Sequence, residues 1–435
     1  MFKIINNQSY NDLRIELIGG NVTGLWEKNN FFIGSNSYPI MKYPYKTANF
    51  NDFEKNHNPN KTEKVSYHLS GYGLLYNESN GGFIGESIER YSFSMLPAYI
   101  KNNVIIECYN NLLSKENITA LPLEYINIFH NKESEKHYVK KTDEIKWAVL
   151  PSLIDSTKKI AIPLQFVVMY SSYLFNEEKH YGNSAVSTGT ACHEDDKKSI
   201  EAAIIEYLQI DSFNLWWYAG LKETEIEIDI GKKLATWFNN QPSTCDFLDK
   251  FTVSFYDISF DKPINVILCE ITSKDKNCPK YVVGVQGGYN KENCIYRSFM
   301  ECLTVVEFAF NISWIDQSKY TSIEKGDKIF SNLDDNVIYY SKFGKNENIK
   351  RVNTSYKEIG KVSNLNELMN VLSCFTKYAV GLNITPNEFS NLNTQVFRVI
   401  IPELLPMCLP SFPPYNHPRY REFGGISVNV PHPLA

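Results

Sequence analysis

Apolar and polar positions alternate in several short stretches of the chain and recur at helical spacing in three longer ones, so strands and helices are predicted to mix along its length. Residues 195–213 give the clearest helical pattern, entered from the glycine turn STGTA at 187–191. A second helix is predicted around 81–91, where Phe83, Ile84 and Ile88 stand among polar residues behind a turn at Gly71 and Gly73. A third is predicted over 291–308. Stretches rich in β-branched and aromatic residues predict strands at 160–170, 252–260, 265–271 and 280–285. The elements together predict an α+β fold of mixed β-sheets with packed helices.

The two ends differ from this middle. Residues 1–60, rich in Asn, Tyr and Gly, have strand-like patches at 13–17 and 24–26 and predict an N-terminal β-rich layer packed on a main domain of 61–435. No linker marks the junction, and the Asn- and Lys-rich runs further on read as compositional bias. The segment PELLPMCLPSFPPYNHPRY holds too many prolines for regular helix or central strand, so 402–435 are predicted to be an extended, surface or groove-lining tail.

Composition narrows the class. With 435 residues, 43% of them hydrophobic, and 28 Tyr and 26 Phe, the chain can build a large core, which excludes general disorder. A net charge of −5 argues against a surface made to neutralise nucleic acid or anionic lipid. No stretch approaches membrane-spanning length, and the first residues lack the pattern of a secretory signal. Nine cysteines, an odd number without a Cys-x-x-Cys pair or a His at zinc spacing, point to reduced thiols and a cytoplasmic location.

Two of the helices carry similar words, ESIERYSF at 86–93 and EYLQIDSF at 206–213. On a helix, residues three and four apart share a face, so Glu86, Glu89 and Arg90 project together, as do Glu206 and Gln209. Arg297 and Glu301 in YRSFMEC repeat the spacing. One reading is a polyanion site in which carboxylates hold Mg²⁺ and arginines meet phosphate. The other is a set of ordinary helix-surface ion pairs worth about 0.2–0.5 kcal/mol each. Walker, kinase and Gly-x-Ser-x-Gly motifs are absent, so an ATP site here is an unconventional one. His193 beside Glu194, Asp195 and Asp196 suggests a metal site, but an acidic turn capping the helix accounts for the carboxylates more simply. Trp216 and Trp217 read as core.

The words SGYG at 70–73, NGGFIGESIERYSF at 80–93, STGTACHEDDKKSIEAAIIEYLQID at 187–211 and YRSFMEC at 296–302, with NHPRY and PHPLA near the C-terminus, resemble in order the signature blocks of the YcaO family. The resemblance covers most of the chain from about residue 60. Among members it looks most like the stand-alone azoline-forming cyclodehydratases of streptolysin S-type toxin pathways, which make thiazole- and oxazole-modified peptides. It implies a YcaO-like fold with an internal pseudo-repeat, and ATP and Mg²⁺ as cofactors. By this resemblance the nucleotide site comprises Ser70, Gly71, Gly73, Glu86, Arg90, Ser187, Gly189, Gln209, Arg297 and Glu301, and the metal ligands are Glu86, Glu89, Glu206 and Gln209.

Departures from the family pattern bear on that site. Gly82 replaces the serine of Ser-x-x-x-Glu-x-x-Glu-Arg, Tyr72 replaces a lysine, and Gln209 and Ile210 stand where Glu and Arg are usual. Lys198 stands where an acidic residue is common, with Asp196 or Glu201 as possible substitutes. Pro431, Pro433 and Ala435 take the place of a Pro-x-Pro-x-Pro ending, whose terminal carboxylate would act as base or positioning group. The implied reaction is cyclodehydration of Cys, Ser or Thr in a ribosomally made precursor peptide to thiazoline or (methyl)oxazoline, through phosphorylation of the backbone amide oxygen. The implied partners are that precursor peptide, a leader-binding protein related to ubiquitin-activating enzymes and a flavin-dependent dehydrogenase, around a homodimer within a larger complex, without nucleic acid or membrane. Two rivals stay open: a catalytically weak scaffold, and a YcaO enzyme that forms a thioamide or amidine.

Overall fold

The structure is a computed structural model that describes residues 30–31, 38–49, 66–130, 137–169, 174, 178, 181–182, 185–274, 279–326, 329–330, 332–345, 349–389 and 392–435. The strand-like patches at 13–17 and 24–26 lie outside the described residues. Strands β1 (Asn30–Phe31), β2 (Pro44–Asn49) and β3 (Ser66–Ser70) form an antiparallel sheet. Strands β4 (Val104–Cys108), β5 (Ile118–Ala120), β6 (Glu144–Pro151) and β7 (Lys159–Pro163) form a second in the order β4-β6-β7-β5, with β5 and β7 parallel. Strand β8 (Thr190–His193) joins a later hairpin, β13 (Val380–Asn383) and β14 (Gln395–Ile400), with β14 central. Between them in sequence, β9 (Thr224–Glu225), β10 (Phe251–Asp257), β11 (Asn265–Ser273) and β12 (Tyr281–Gly288) make a fully antiparallel sheet with β12 at one edge. The fold is the expected α+β mixture. Two strands end earlier than predicted: β10 stops at Asp257, and at Pro163 the chain leaves the ladder for a 3₁₀ turn over Leu164–Phe166.

Five helices position the site: α1 (Tyr76–Tyr99), α2 (Asp196–Trp217), α3 (Lys291–Ile315), α4 (Leu333–Phe343) and the short α5 (Pro418–Glu422). Helix α1 contains Gly81, Gly82 and Gly85, each a loss of about 1 kcal/mol against alanine in a helix interior. Packing offsets this, since Phe83, Ile88, Tyr91, Phe93, Met95 and Leu96 are all buried. The backbone of α1 also lies directly on Gly71, where an added Cβ would stand 2.1 Å from the Ser79 carbonyl oxygen and 2.4 Å from the Phe83 nitrogen. Helix α2 starts as predicted, with the Asp195 side chain capping the Lys198 N–H. It continues past the predicted end because its last turn is apolar and buried through Phe213, Leu215, Trp216 and Trp217.

The β9–β12 sheet is covered on both faces, and its alternation shows how. On β11, Val266 and Leu268 face the core beneath α2, while Ile267, Cys269 and Ile271 face the core beneath α3. Helix α1 packs on β3 and β8, and its Phe83 and Phe93 share one apolar core with Trp147 and Ile162 of the β4–β7 sheet. The proline-rich tail lines a groove beside α2. Asn214 Nδ2 donates to the Pro406 carbonyl at 3.0 Å, the Tyr218 hydroxyl to that of Pro410 at 2.7 Å, and Trp217 Nε1 to that of Val430 at 2.9 Å. Among the described residues no helix is long and apolar enough to cross a membrane.

Candidate active site

Helices α1 and α2 meet at their polar faces. The Ser70 N–H donates to Glu86 Oε2 at 2.7 Å and the Ser70 hydroxyl to the same oxygen at 3.2 Å, tying α1 to the end of β3. One turn on, Arg90 Nη2 lies 3.3 Å from Glu86 Oε1 and Nη1 lies 3.6 Å from Glu89 Oε1. From α2, Glu206 accepts the Gly189 N–H at 3.0 Å. Gly189 has φ +81°, and a Cβ there would stand 2.2 Å from the Val399 carbonyl oxygen and 2.3 Å from the Tyr207 ring, so only glycine lets this turn aim its N–H at the carboxylate. Strand β14 adds Arg398, which is 2% exposed. Its Nη1 donates to the Thr188 carbonyl at 2.9 Å and the Thr190 hydroxyl at 2.8 Å, and its Nε has no partner.

Charge here is unbalanced. Burial raises the Glu206 carboxyl to about 7, helped by Glu86 and opposed by the Gly189 N–H, Arg90 and Arg398. Burial likewise pushes Glu89 well up, with Glu206 and Glu86 adding to it and Arg90 opposing. Three carboxylates from two helices therefore repel one another across a shared space. Arg398 was not singled out in the sequence, although a lone arginine inside the apolar run QVFRVI carries the signal of a buried partner.

The second half of the site forms on the free edge of β12. Its outward N–H groups are taken by side chains from opposite faces of the sheet: Val285 donates to Glu301 Oε2 at 3.1 Å, and Gly287 to Gln209 Oε1 at 2.7 Å. Burial raises Glu301 to about 8. One turn before it, Arg297 stacks 4.7 Å over the Tyr72 ring and places Nη1 3.4 Å from Glu78 Oε1. Tyr72 thus offers Arg297 an aromatic face at the position where a lysine is usual.

Other expected residues have different surroundings. The Ser187 carbonyl closes its turn on the Thr190 N–H at 2.8 Å, the Gly71 N–H bonds the Pro44 carbonyl at 3.1 Å, and Gly73 pairs with Lys42. Lys198 is paired with Glu194, and Glu201 accepts the Tyr289 hydroxyl at 2.7 Å. Pro431 and Pro433 are buried, and Ala435 is exposed. The Tyr340 hydroxyl donates to the Pro431 carbonyl at 2.6 Å, and Asn336 Nδ2 to those of His432 and Leu434 at 2.7 and 2.9 Å. The tail also meets α2, where His432 packs on Phe213 one turn beyond Gln209 along the same face.

The family model for YcaO cyclodehydratases, described as ATP- and Mg²⁺-binding, matches residues 70–405. The chain belongs to the YcaO family. Comparison with curated protein sequences gives no match. Among solved structures, a heterocyclase in complex with substrate and cofactor superposes with a TM-score of 0.63 at 13% identity, covering 99% of this chain and 57% of that one. This chain thus spans little more than half the length of that heterocyclase. A chain of the E. coli microcin synthetase McbBCD complex gives 0.56 at 15% identity over 89% of this chain and 90% of that one. YcaO from Methanopyrus kandleri, bound with AMPPCP and Mg²⁺, gives 0.52 at 10% identity over 93% and 92%. At such identities the likeness establishes the YcaO fold.

The residues of this YcaO chain fit the family's ligands. Glu86, Glu89, Glu206 and Gln209 offer only oxygen donors, the kind Mg²⁺ takes, and a divalent cation relieves the repulsion that raises Glu89 and Glu206. Arg90, Arg398 with its unpartnered Nε, and Arg297 offer guanidinium donors to phosphate. Among the described residues no three His, Cys, Asp or Glu side chains stand together at metal-binding separation. The set fits Mg²⁺ by chemistry and charge, not as a preformed cage.

Proposed function

We propose that this chain is an ATP- and Mg²⁺-dependent cyclodehydratase that converts Cys, Ser or Thr of a ribosomally made precursor peptide to thiazoline or (methyl)oxazoline. The observation that carries the reading is the meeting of Glu86, Glu89 and Arg90 with Glu206 and Arg398 in a chain whose family is ATP- and Mg²⁺-binding. In this reaction the substrate side chain attacks the preceding amide carbon, and the amide oxygen leaves after taking the γ-phosphoryl group of ATP. The protein then needs no nucleophile of its own. Arg90 and Arg398 would stabilise charge on the phosphoryl oxygens, the carboxylates would hold the metal, and Gln209 and Glu301 would fix the β12 edge beside them.

The catalytic unit in this proposal is 61–435, with residues 1–60 as a β-rich layer on it. The tail, gripped by Tyr340 and Asn336 up to buried Leu434, would present the Ala435 carboxylate as base or positioning group, with Pro431 and Pro433 holding it extended. Ring formation should stop when Leu434 and Ala435 are deleted, and full activity of the truncated protein refutes that role. A leader-binding protein related to ubiquitin-activating enzymes would deliver the precursor and a flavin-dependent dehydrogenase would follow, in the cytoplasm, around a homodimer of this chain. A toxin or bacteriocin of the streptolysin S type is the product class this reading favours.

Thermal unfolding with and without Mg-ATP tests the core of the proposal. Nucleotide at a hundredfold excess over Kd should stabilise the wild type by about 2.7 kcal/mol. That gain should disappear in both Glu86→Ala and Glu206→Ala. Equal stabilisation of all three proteins would remove the site from between α1 and α2, and no stabilisation of the wild type with its partner present would favour the scaffold.

A further inference from the structure

Ring closure strips two protons from the peptide, one from the attacking thiol or hydroxyl and one from the amide nitrogen. The site therefore needs a second proton acceptor beside the tail carboxylate, or must use that one twice. The β2–β3 hairpin holds a candidate. Tyr45 on β2 is the direct cross-strand partner of Ser70, the residue whose N–H and hydroxyl hold Glu86. Side chains so paired share one face with Cβ atoms about 5 Å apart. Two residues before Ser70, on the same face of β3, stands His68.

The Tyr45 hydroxyl lies 3.2 Å from His68 Nδ1, and His68 Nε2 lies 3.4 Å from Asp334 Oδ2. Asp334 sits in the first turn of α4 and is held in turn by Lys319 Nζ at 2.8 Å. Two residues further along α4, Asn336 grips the last carbonyls of the tail. One hairpin face and one helical turn thus link the Glu86 end of the site to the C-terminal end through a continuous Tyr–His–Asp chain. Neighbours among the described residues include Phe308 of α3, 6.1 Å from the His68 ring, the adjacent Glu307, which is buried with Oε2 unpartnered, Tyr43 just before β2, 6.4 Å from the Tyr45 ring, and Asp335, 3.6 Å from Lys319.

Resting on the cyclodehydratase reading, we propose that Tyr45, His68 and Asp334 form a proton relay that deprotonates the attacking Cys, Ser or Thr side chain. As the new S–C or O–C bond forms and the carbonyl π pair moves to oxygen, the substrate proton passes to the Tyr45 oxygen and the Tyr45 proton to His68 Nδ1. Asp334, at ion-pair distance from Nε2, stabilises the imidazolium charge, and His68, 39% exposed, returns the proton to solvent. The amide oxygen, now carrying the electron pair, takes the γ-phosphoryl group and releases the nucleoside diphosphate; the amide N–H proton then passes to the tail carboxylate, the nitrogen pair forms the C=N bond, and the oxygen leaves as phosphate. Tyr45 is the group that would touch substrate, and His68 and Asp334 act through it.

The test uses the full chain reconstituted with a leader-binding protein and a precursor peptide rich in Cys, Ser and Thr, reading rings by mass spectrometry across pH. His68→Gln and Tyr45→Phe should each lower kcat by about 10²- to 10⁴-fold. KM for the peptide and stabilisation by Mg-ATP should stay as in the wild type, and the acid limb of the wild-type pH profile should be missing from His68→Gln. Rings formed at the wild-type rate by both variants, or a slower His68→Gln that keeps the acid limb, overturn the relay alone. A wild type that binds Mg-ATP yet forms no rings overturns the cyclodehydratase reading and the relay with it.

Discussion

Helix α2 carries two carboxylates five residues apart, half-buried Glu206 and buried Asp211, in opposite electrostatic settings. Asp211 accepts the Leu405 N–H at 2.9 Å and pairs with Lys262 at 2.7 Å and Arg419 at 3.1 Å. Both cations also hold Asp261, at 2.5 and 2.6 Å. Burial works against the charge on Asp211, yet Arg419 and Lys262 outweigh it and hold the group below its ordinary range. Glu206 has one backbone N–H, two arginines and two competing glutamates around it, and rises to about 7. Asp211 and Asp261 are matched by Lys262 and Arg419, whose Nη1 also holds the exposed Glu422 at 2.7 Å, and this closed set staples the tail to α2. Three carboxylates facing two guanidiniums stay open, and the missing positive charge is what a bound Mg²⁺ would bring.

The largest effect should come from breaking the closed cluster. Arg419→Met leaves Asp211 and Asp261 buried with Lys262 alone, and losing one partner of such a set costs about 3–5 kcal/mol. Urea unfolding should show that loss, while the protein that remains folded keeps its stabilisation by Mg-ATP. If Arg419→Met instead unfolds like the wild type and loses the nucleotide effect, the assignment of the two clusters is reversed.

The same contrast explains what the sequence made legible. Helical spacing placed Glu86 with Arg90, and the structure keeps them within 3.3 Å, because i and i+4 contacts are local. The acidic turn before α2 was legible as a cap for the same reason, and Asp195 is that cap. Gly189 and Glu206 sit in one predicted turn–helix unit, though not their bond. What could not be read were pairs made by the tertiary fold: Asp211 with Arg419, Gln209 with the Gly287 N–H, and Arg398 among the carboxylates of two helices it does not adjoin in sequence. NHPRY stood out as a motif, but only the fold shows His417 Nε2 at 3.0 Å from the Pro402 carbonyl and Arg419 in the buried network. Nor was the stacking of Arg297 on the Tyr72 ring legible, since the two lie on separate elements.

Protonation should separate the two clusters next. Glu206 and Glu307 are raised from 4.5 to about 7 and Glu301 to about 8, each by burial first, so the native protein holds more protons on them than the unfolded chain. Their contribution to stability is complete below 4.5 and is lost as pH rises through 7 to 8, at up to about 1.4 kcal/mol per pH unit for each group. Asp261 runs the other way. Its cations hold it at about 2 against burial, so its contribution is present above 3.8 and is lost as pH falls through 2. Ligand-free protein followed by thermal unfolding should therefore lose stability from pH 5 to 8, and Mg-ATP should flatten that fall. A ligand-free stability that climbs over this range would show that the carboxylates are better compensated than their contacts indicate.

The smallest effect on stability should come at the rim, where it separates a surface pair from a phosphate-binding one. Arg297 and Glu78 are 3.4 Å apart and each about a third exposed, so the pair is worth at most about 1 kcal/mol. Glu78 also accepts the Leu74 N–H at 3.0 Å, and glutamine can keep that bond through its own carbonyl. Glu78→Gln should then hardly move the unfolding temperature, and Arg297, still stacked on Tyr72, is released to face a nucleotide. Affinity for Mg-ATP, measured by calorimetry, should rise in Glu78→Gln and fall in Arg297→Gln. Were both variants to bind as the wild type does, Arg297 would belong with the ordinary helix-surface pairs, and the open cluster would end at Arg90 and Arg398.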